Sequence, residues 1–340
     1  MIYNSTWKSP SNIALVKYWG KKENGIQLPA NASISFTLNQ CQTTTQLTID
    51  DERVGVEVYL DGESQPDFVP KIEQFKQRIA DSFPSLVKAH WTVKTSNSFP
   101  HSSGIASSAS GMSALALCLC DIAVQQGLLP SENLEDKASE LSRLGSGSAC
   151  RSVFGPMAVW GTHPEFDGSS DLNAIAYNQI DEVFKTYCDT ILLIHKGSKD
   201  VSSTQGHNLI KNHPFAEQRF SQAQGNMSKL QKVLKEGDLD EFIEIVEQEA
   251  LSLHALMMTS TPSYILMKPN TLAAIEAIWK IRKEKGYKWC FTLDAGANLH
   301  FLFPKTDEPF ALEFVEKVLK QYCQDGAYIC DQVGNGPQKL

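Results

Sequence analysis

Residues 99 to 111 read Phe-Pro-His-Ser-Ser-Gly-Ile-Ala-Ser-Ser-Ala-Ser-Gly, a run of small residues that ends where Met112, Leu115, Leu119 and Ile122 take up helical spacing. Such residues at a helix start do anion chemistry. The first turn of backbone N–H groups lacks intrahelical partners, and the helix dipole is positive there. Gly104, Ala106, Ser107 and Ser108 are also small enough for a phosphate to come close. The run is not a Walker A loop, because no Gly-Lys-Ser/Thr follows, nor the three-glycine dinucleotide fingerprint. A serine-capped turn before a helix has the same look, so other residues must decide.

Four further segments are richer in small polar and charged residues than a structural role requires. Around Ser11–Lys22 an apolar strand stops abruptly in Lys17, Tyr18, Lys21 and Lys22. Between Leu144 and Ser152 lies a second Gly/Ser nest with Ser146 and Ser148, and Arg151 is expected one turn into a following helix. A polar loop holds Lys199, Ser202 and Ser203, and Asp294 ends an apolar strand at the small-residue turn before Asn298. Singly these read as a solvated strand end, a surface charge, a turn and an Asx cap. Together they offer two phosphate nests, cations for a polyanion and one carboxylate, which is what phosphoryl transfer needs. A carboxylate among cations is expected to stay ionised and to orient or deprotonate an attacking hydroxyl.

The elements that must position these groups form an α+β pattern. Strand-like segments occur near 11–17, 32–39, 43–50, 54–60, 90–96 and 155–161, with helices near 69–82, 107–126 and 134–144. The second half opens on a strand at 189–195. Helical periodicity follows at 215–235, 238–258, 270–285 and 308–322, around strands near 289–293, 299–303 and 327–330. The expected division is into domains 1–186 and 187–340. A net charge of −8 argues against nucleic acid or an anionic membrane as partner, while a small anionic substrate in a basic cleft is allowed. The eight cysteines are scattered through apolar stretches without a Cys-x-x-Cys pair and read as buried thiols of a reducing compartment. With no signal peptide and no stretch near the ~20 apolar residues of a membrane helix, a cytoplasmic protein is expected.

Pro100 to Ala109 is similar to the phosphate loop of the GHMP kinase superfamily, Pro-x-x-x-Gly-Leu-x-Ser-Ser-Ala. Asn12–Lys21, Gly145–Ser152, Val201–Gly206 and Asp294–Asn298 resemble the diphosphomevalonate decarboxylase family within it, in order along residues 9 to 304. The resemblance implies an N-terminal, ribosomal-protein-like α/β domain with a left-handed crossover and a C-terminal ferredoxin-like domain, with the site in the cleft between them. It implies ATP-dependent decarboxylation of mevalonate 5-diphosphate, using ATP and magnesium. Asp294, Lys17 and Arg151 would be catalytic, and Tyr18, Lys21, Ser146, Ser148 and Ser203 would bind substrate. Ser102, Ser103, Gly104, Ile105, Ala106, Ser107 and Ser108 would receive ATP, with Ser107 near the metal. A homodimer is allowed. The alternatives are a related mevalonate or phosphomevalonate 3-kinase or decarboxylase, and a non-catalytic ligand-binding regulator. Two residues depart from the family pattern. Ile105 stands where Leu is common, and Ala297 replaces a proline, for which a looser turn is expected.

Overall fold

The computed structural model describes residues 1–22, 26–100, 105–197 and 203–340, the last from residue 205 for side chains. Among them, strands β1 (Ile2–Val16), β2 (Ser33–Asp50), β3 (Gly55–Leu60), β4 (Glu63–Ser64), β5 (His90–Asn97), β6 (Met157–Trp160) and β7 (Ala174–Ala176) build a first sheet. Strands β8 (Cys188–Leu192), β9 (Cys290–Leu293), β10 (Leu299–Phe303) and β11 (Tyr328–Gln332) build a second, after which β12 (Gln338–Lys339) returns to the edge of the first.

The first sheet runs β12-β1-β2-β5-β3-β4, with β6 and β7 continuing from β2. β2 is one strand of 18 residues, where the sequence pattern suggested two. One edge pairs with β1 from Ile2↔Asp50 to Val16↔Ile34, and the other pairs with β6 over 33–36 and β5 over 43–50. The polar stretch between those partners is bridged from far along the chain. Asp331 of β11 accepts the N–H groups of Asn39, Gln40 and Cys41 at 2.9, 2.7 and 2.7 Å.

Helices α1 (Val69–Arg78), α2 (Pro84–Lys88), α3 (Ser107–Gln125) and α4 (Leu134–Gly145) cover one face of this sheet. Their apolar residues, such as Ile72, Phe75, Leu115 and Leu141, pack on Leu47, Val58, Trp91 and Val93. α3 is long and apolar enough to cross a membrane, against the expectation that no segment is, but 14 of its residues are buried in this layer. α1 ends at Arg78, short of the expected 82.

After the short α5 (Glu182–Lys185), the second half carries α6 (Ser203–Leu209), α7 (Ala216–Glu236), α8 (Leu239–Met258), α9 (Pro269–Lys285) and α10 (Glu308–Phe314). Its antiparallel sheet has the order β11-β8-β10-β9, so its strands taken in chain order lie 4-1-3-2, the ferredoxin-like arrangement. A large apolar cluster joins the halves: Ile13 and Leu15 of β1 and Phe36 of β2 share it with Met227 of α7, Phe242 of α8 and Ile191 of β8, and a smaller one sets Trp19 against Ile210, Leu253 and Ala295. All eight cysteines are unpaired. Seven are buried as expected and Cys330 is exposed.

Candidate active site

β1 ends in the buried apolar run Ile13–Val16, and where its ladder with β2 ends the chain turns Lys17 inward. The backbone N–H of Lys17 donates to Glu249 Oε2 of α8 at 2.9 Å, and its carbonyl accepts from Asn31 Nδ2 at 3.0 Å. Held this way, the side chain is 2 % exposed, and Nζ donates to Asp294 Oδ1 at 3.2 Å. Burial pushes the Lys17 ammonium below its ordinary value, opposed by Asp294 and Glu249 and aided by Arg151. The next residue, Tyr18, rests edge-on against Trp160 at 4.6 Å, with its hydroxyl buried and unpartnered among the described residues. Burial also raises its pKa. Gly20, at φ +104°, lets the chain turn so that Lys21 reaches the same space. Lys21 is pushed down by burial and by the charges of Arg78 and Lys211. Lys22 points elsewhere and pairs with Asp171.

Asp294 comes from the other half, one residue beyond β9. Its carbonyl accepts from Gly296 N at 2.7 Å and from His254 Nε2 of α8 at 3.1 Å. The Ala297 carbonyl accepts from Thr271 Oγ1 of α9 at 2.7 Å, and Asn298 Oδ1 accepts from the His195 N–H at 2.9 Å. The turn expected to be looser for want of a proline is therefore tied down by its neighbours, with Ala295 and Ala297 nearly buried.

The second nest is a 3-10 turn over Gly147–Val153, not the start of an α-helix. It carries Arg151 into the core at 3 % exposure. There Nε donates to Ser35 Oγ at 3.1 Å and Asn12 Oδ1 at 3.3 Å, and Nη1 donates to Ser33 Oγ at 2.6 Å. Every one of these partners is neutral, and Nη2 is unengaged among the described residues. A Cβ on Gly147 would lie 2.9 Å from the Tyr18 hydroxyl and 3.0 Å from Trp160, so this close approach requires glycine.

The first nest leads into α3 through Ala106, which has left-handed φ 46° and ψ 39°, a conformation costing about 1 kcal/mol in a non-glycine residue. Among the described residues no side chain caps this helix start, and Ser107 and Ser108 face the cavity, Ser108 Oγ lying 3.3 Å from Ser146 Oγ. Ile105 departs from its expected place. Its side chain is 2 % exposed in the core and its carbonyl accepts from Ser11 Oγ at 2.6 Å, so it anchors the loop without lining the cavity. Ser102, Ser103, Gly104, Ser202 and the side chain of Ser203 lie outside the described residues.

These groups surround one cavity of about 960 Å³, lined by Lys17, Tyr18, Lys21, Ala106, Ser107, Ser108, Ser146, Ser148, Arg151 and Asp294. Lys71, Gln74 and Arg78 of α1 line it too, although in the sequence they look like ordinary solvent-facing helix positions. His207 of α6, where no helix was expected, lines it as well. Among the described lining residues, five cations (Lys17, Lys21, Lys71, Arg78 and Arg151) stand against the single carboxylate of Asp294. Such a cleft attracts a polyanion in spite of the acidic surface around it. No group of three His, Cys, Asp or Glu among the described residues could hold a metal ion.

Residues 9–172 match the family model described as diphosphomevalonate decarboxylase-like N-terminal domain, and residues 190–339 match mevalonate 5-diphosphate decarboxylase C-terminal domain. The diphosphomevalonate decarboxylase of Gibberella zeae is 31% identical over 328 residues, covering 90% of this chain and 82% of that protein. The human diphosphomevalonate decarboxylase is 27% identical over 311 residues, covering 86% and 75%. Among solved structures, the mevalonate diphosphate decarboxylase of Staphylococcus aureus superposes with a TM-score of 0.87 at 27% identity, covering 100% of this chain and 98% of that one. The structure described as MDDEF in complex with MVAPP, AMPPCP and magnesium superposes with a TM-score of 0.86 at 29% identity, covering 100% and 99%.

Proposed function

The chain belongs to the diphosphomevalonate decarboxylase family, and from that premise we infer that it converts mevalonate 5-diphosphate and ATP into isopentenyl diphosphate, ADP, phosphate and carbon dioxide. The observation that carries this reading is the Lys17–Asp294 ion pair at the cavity wall beside Arg151, a buried guanidinium whose hydrogen-bond partners are all neutral. A buried cation of that kind is completed by an anion from outside, and the substrate carboxylate fits Nη2.

The tertiary 3-hydroxyl is a poor leaving group, and phosphorylation by ATP makes it a good one. Asp294 orients the hydroxyl and takes its proton as the phosphoryl group arrives, with Lys17 fixing the carboxylate at 3.2 Å. Phosphate then departs with the C3–O electron pair. The C1–C2 pair moves in to form the C2=C3 double bond, and C1 leaves as carbon dioxide. Asp294 passes that proton to solvent before phosphate departs, and the restored carboxylate charge favours the cation that develops at C3.

Tyr18, Lys21, Ser146 and Ser148 receive the diphosphate, a role supported by the unpartnered Tyr18 hydroxyl. The family motif adds Ser203. Ser107 and Ser108, with Ser102, Ser103 and Gly104 before them, receive the ATP phosphates at the start of α3. The described residues fit a magnesium ion carried in on the nucleotide, with the Ser107 hydroxyl as a ligand, better than a resident metal held by a carboxylate cluster. Bound there, magnesium neutralises phosphate charge. The division at 186/187 and a cytoplasmic location complete the reading, the latter supported by eight unpaired cysteines.

The test is incubation with ATP, magnesium and either mevalonate 5-diphosphate or its monophosphate, following ADP and carbon dioxide together. Equal release of both from the diphosphate is expected. ADP without carbon dioxide overturns the decarboxylase, and preference for the monophosphate overturns the substrate.

A further inference from the structure

The short helix α6 follows the polar loop of the second half and carries His207 against the end of β1. His207 is 7 % exposed and lines the cavity. Its ring packs on Tyr18 and on Trp19, each with a centroid separation of 4.5 Å. Nδ1 accepts the backbone N–H of Gly20 at 3.0 Å, which assigns the imidazole proton to Nε2. Nε2 has no partner among the described residues. The neighbouring Gly206 admits no side chain, since a Cβ there would lie 2.5 Å from Trp19 and 2.9 Å from the Tyr264 hydroxyl, so α6 is fitted closely onto this wall.

We propose that His207 is a positioning and specificity residue for the substrate's terminal phosphates: Nδ1 locks the Tyr18–Lys21 segment to α6, and Nε2–H is an uncharged donor to a diphosphate oxygen. The assignment rests on the reading that the diphosphate lies at the Tyr18 and Lys21 end of the cavity. A neutral donor suits this position. Burial and the Lys21 charge take the His207 pKa down to about 3, so the ring adds no further positive charge to a wall already rich in cations. A fixed neutral N–H rewards a correctly placed oxygen without attracting every anion, which makes it a device for telling a diphosphate from a monophosphate.

Three variants separate the two nitrogens. His207→Leu removes both functions, His207→Asn offers an acceptor near the Nδ1 position, and His207→Gln offers a donor near the Nε2 position. The Leu variant is expected to raise KM for mevalonate 5-diphosphate about tenfold, the loss of one hydrogen bond to a charged group, with KM for ATP within twofold of wild type. Gln is expected to recover most of that loss. Asn is expected to restore thermal stability but not KM. A KM for the diphosphate within twofold of wild type in the Leu variant overturns the proposal, as does a parallel rise for both substrates that Gln fails to repair. Calorimetric binding of inorganic pyrophosphate to wild type and to the Gln and Asn variants probes the same donor without turnover, with weaker binding expected for Asn alone. Wild-type protein that binds pyrophosphate but releases no carbon dioxide would remove the enzymatic reading and leave this one standing.

Discussion

Asp294 and Lys17 form an ion pair whose members come from opposite halves of the molecule, and each can be tested by changing a single charge. Asp294→Asn keeps the size of the side chain and removes the proposed base. Expected is a fall in kcat of at least ~10²-fold with KM for ATP unchanged, the pattern of a group acting in the transition state. Steady-state kinetics showing near wild-type turnover would take Asp294 out of the chemistry. Lys17 makes a pH prediction. Burial holds its pKa below the ordinary 10.5, and raising the pH through that lowered value discharges the ammonium and frees Asp294 from its partner. The alkaline limb of kcat/KM should therefore fall below pH 10.5. Lys17→Arg stays charged, so its weaker activity should lose that limb. A limb that stays in place in the Arg variant belongs to another group.

Elements deliver those residues, and the connection that does most for Lys17 is made by α8. Glu249 is wholly buried and accepts the Lys17 N–H at 2.9 Å, Asn226 Nδ2 at 2.7 Å and a short hydrogen bond from Arg219 of α7. It fastens the end of β1 to both helices. Glu249→Leu removes these bonds and leaves the Arg219 guanidinium buried without a counter-charge, at a cost of about 3–5 kcal/mol. Urea unfolding should show that loss as a lower midpoint, and a change under 1 kcal/mol would mean that the network is not what holds β1. Local pattern made α3, α7 and α8 visible in the sequence, because their apolar residues recur at helical spacing. It also found the strand ends that carry Lys17 and Asp294. What it could not find depends on partners distant in sequence. β2 read as two strands because Gln40 and Gln42 break its apolar pattern, and the N–H groups there find their acceptor in Asp331, some 290 residues later. Lys71 and Arg78 sit on α1 among charges that any solvated helix carries, and the packing of α1 on α4, with Arg78 Nη1 donating to the Leu144 carbonyl at 2.7 Å, brings them to the cavity.

For the whole molecule the question is what keeps a cleft between two halves at a fixed width. The shared apolar cluster supplies area without direction, since residues from β1, β2, α7 and α8 can slide over one another at little loss. Direction comes from polar contacts, and the Asp331 clamp is one that crosses from the second sheet to the first. Its carboxylate is 6 % exposed, with Oδ1 on the N–H groups of Asn39 and Gln40 and Oδ2 on that of Cys41. Charge-assisted bonds of this kind are directional, and they fall at the place where β2 leaves β6 for β5, so they fix both the bend of that strand and the seat of β11 on it. Asp331→Ala leaves three backbone donors without their acceptor and should lower stability by about 3 kcal/mol in equilibrium urea unfolding. Circular dichroism and tryptophan fluorescence should still report one coincident transition, because the common core keeps the halves from unfolding separately. The same variant should raise KM for both substrates at a temperature where it is fully folded, since residue 294 and residues 17 and 151 sit on opposite sides of the clamp. Unchanged KM values alongside the lower midpoint would mean that the cleft is set without the clamp, by the apolar packing and the Glu249 network.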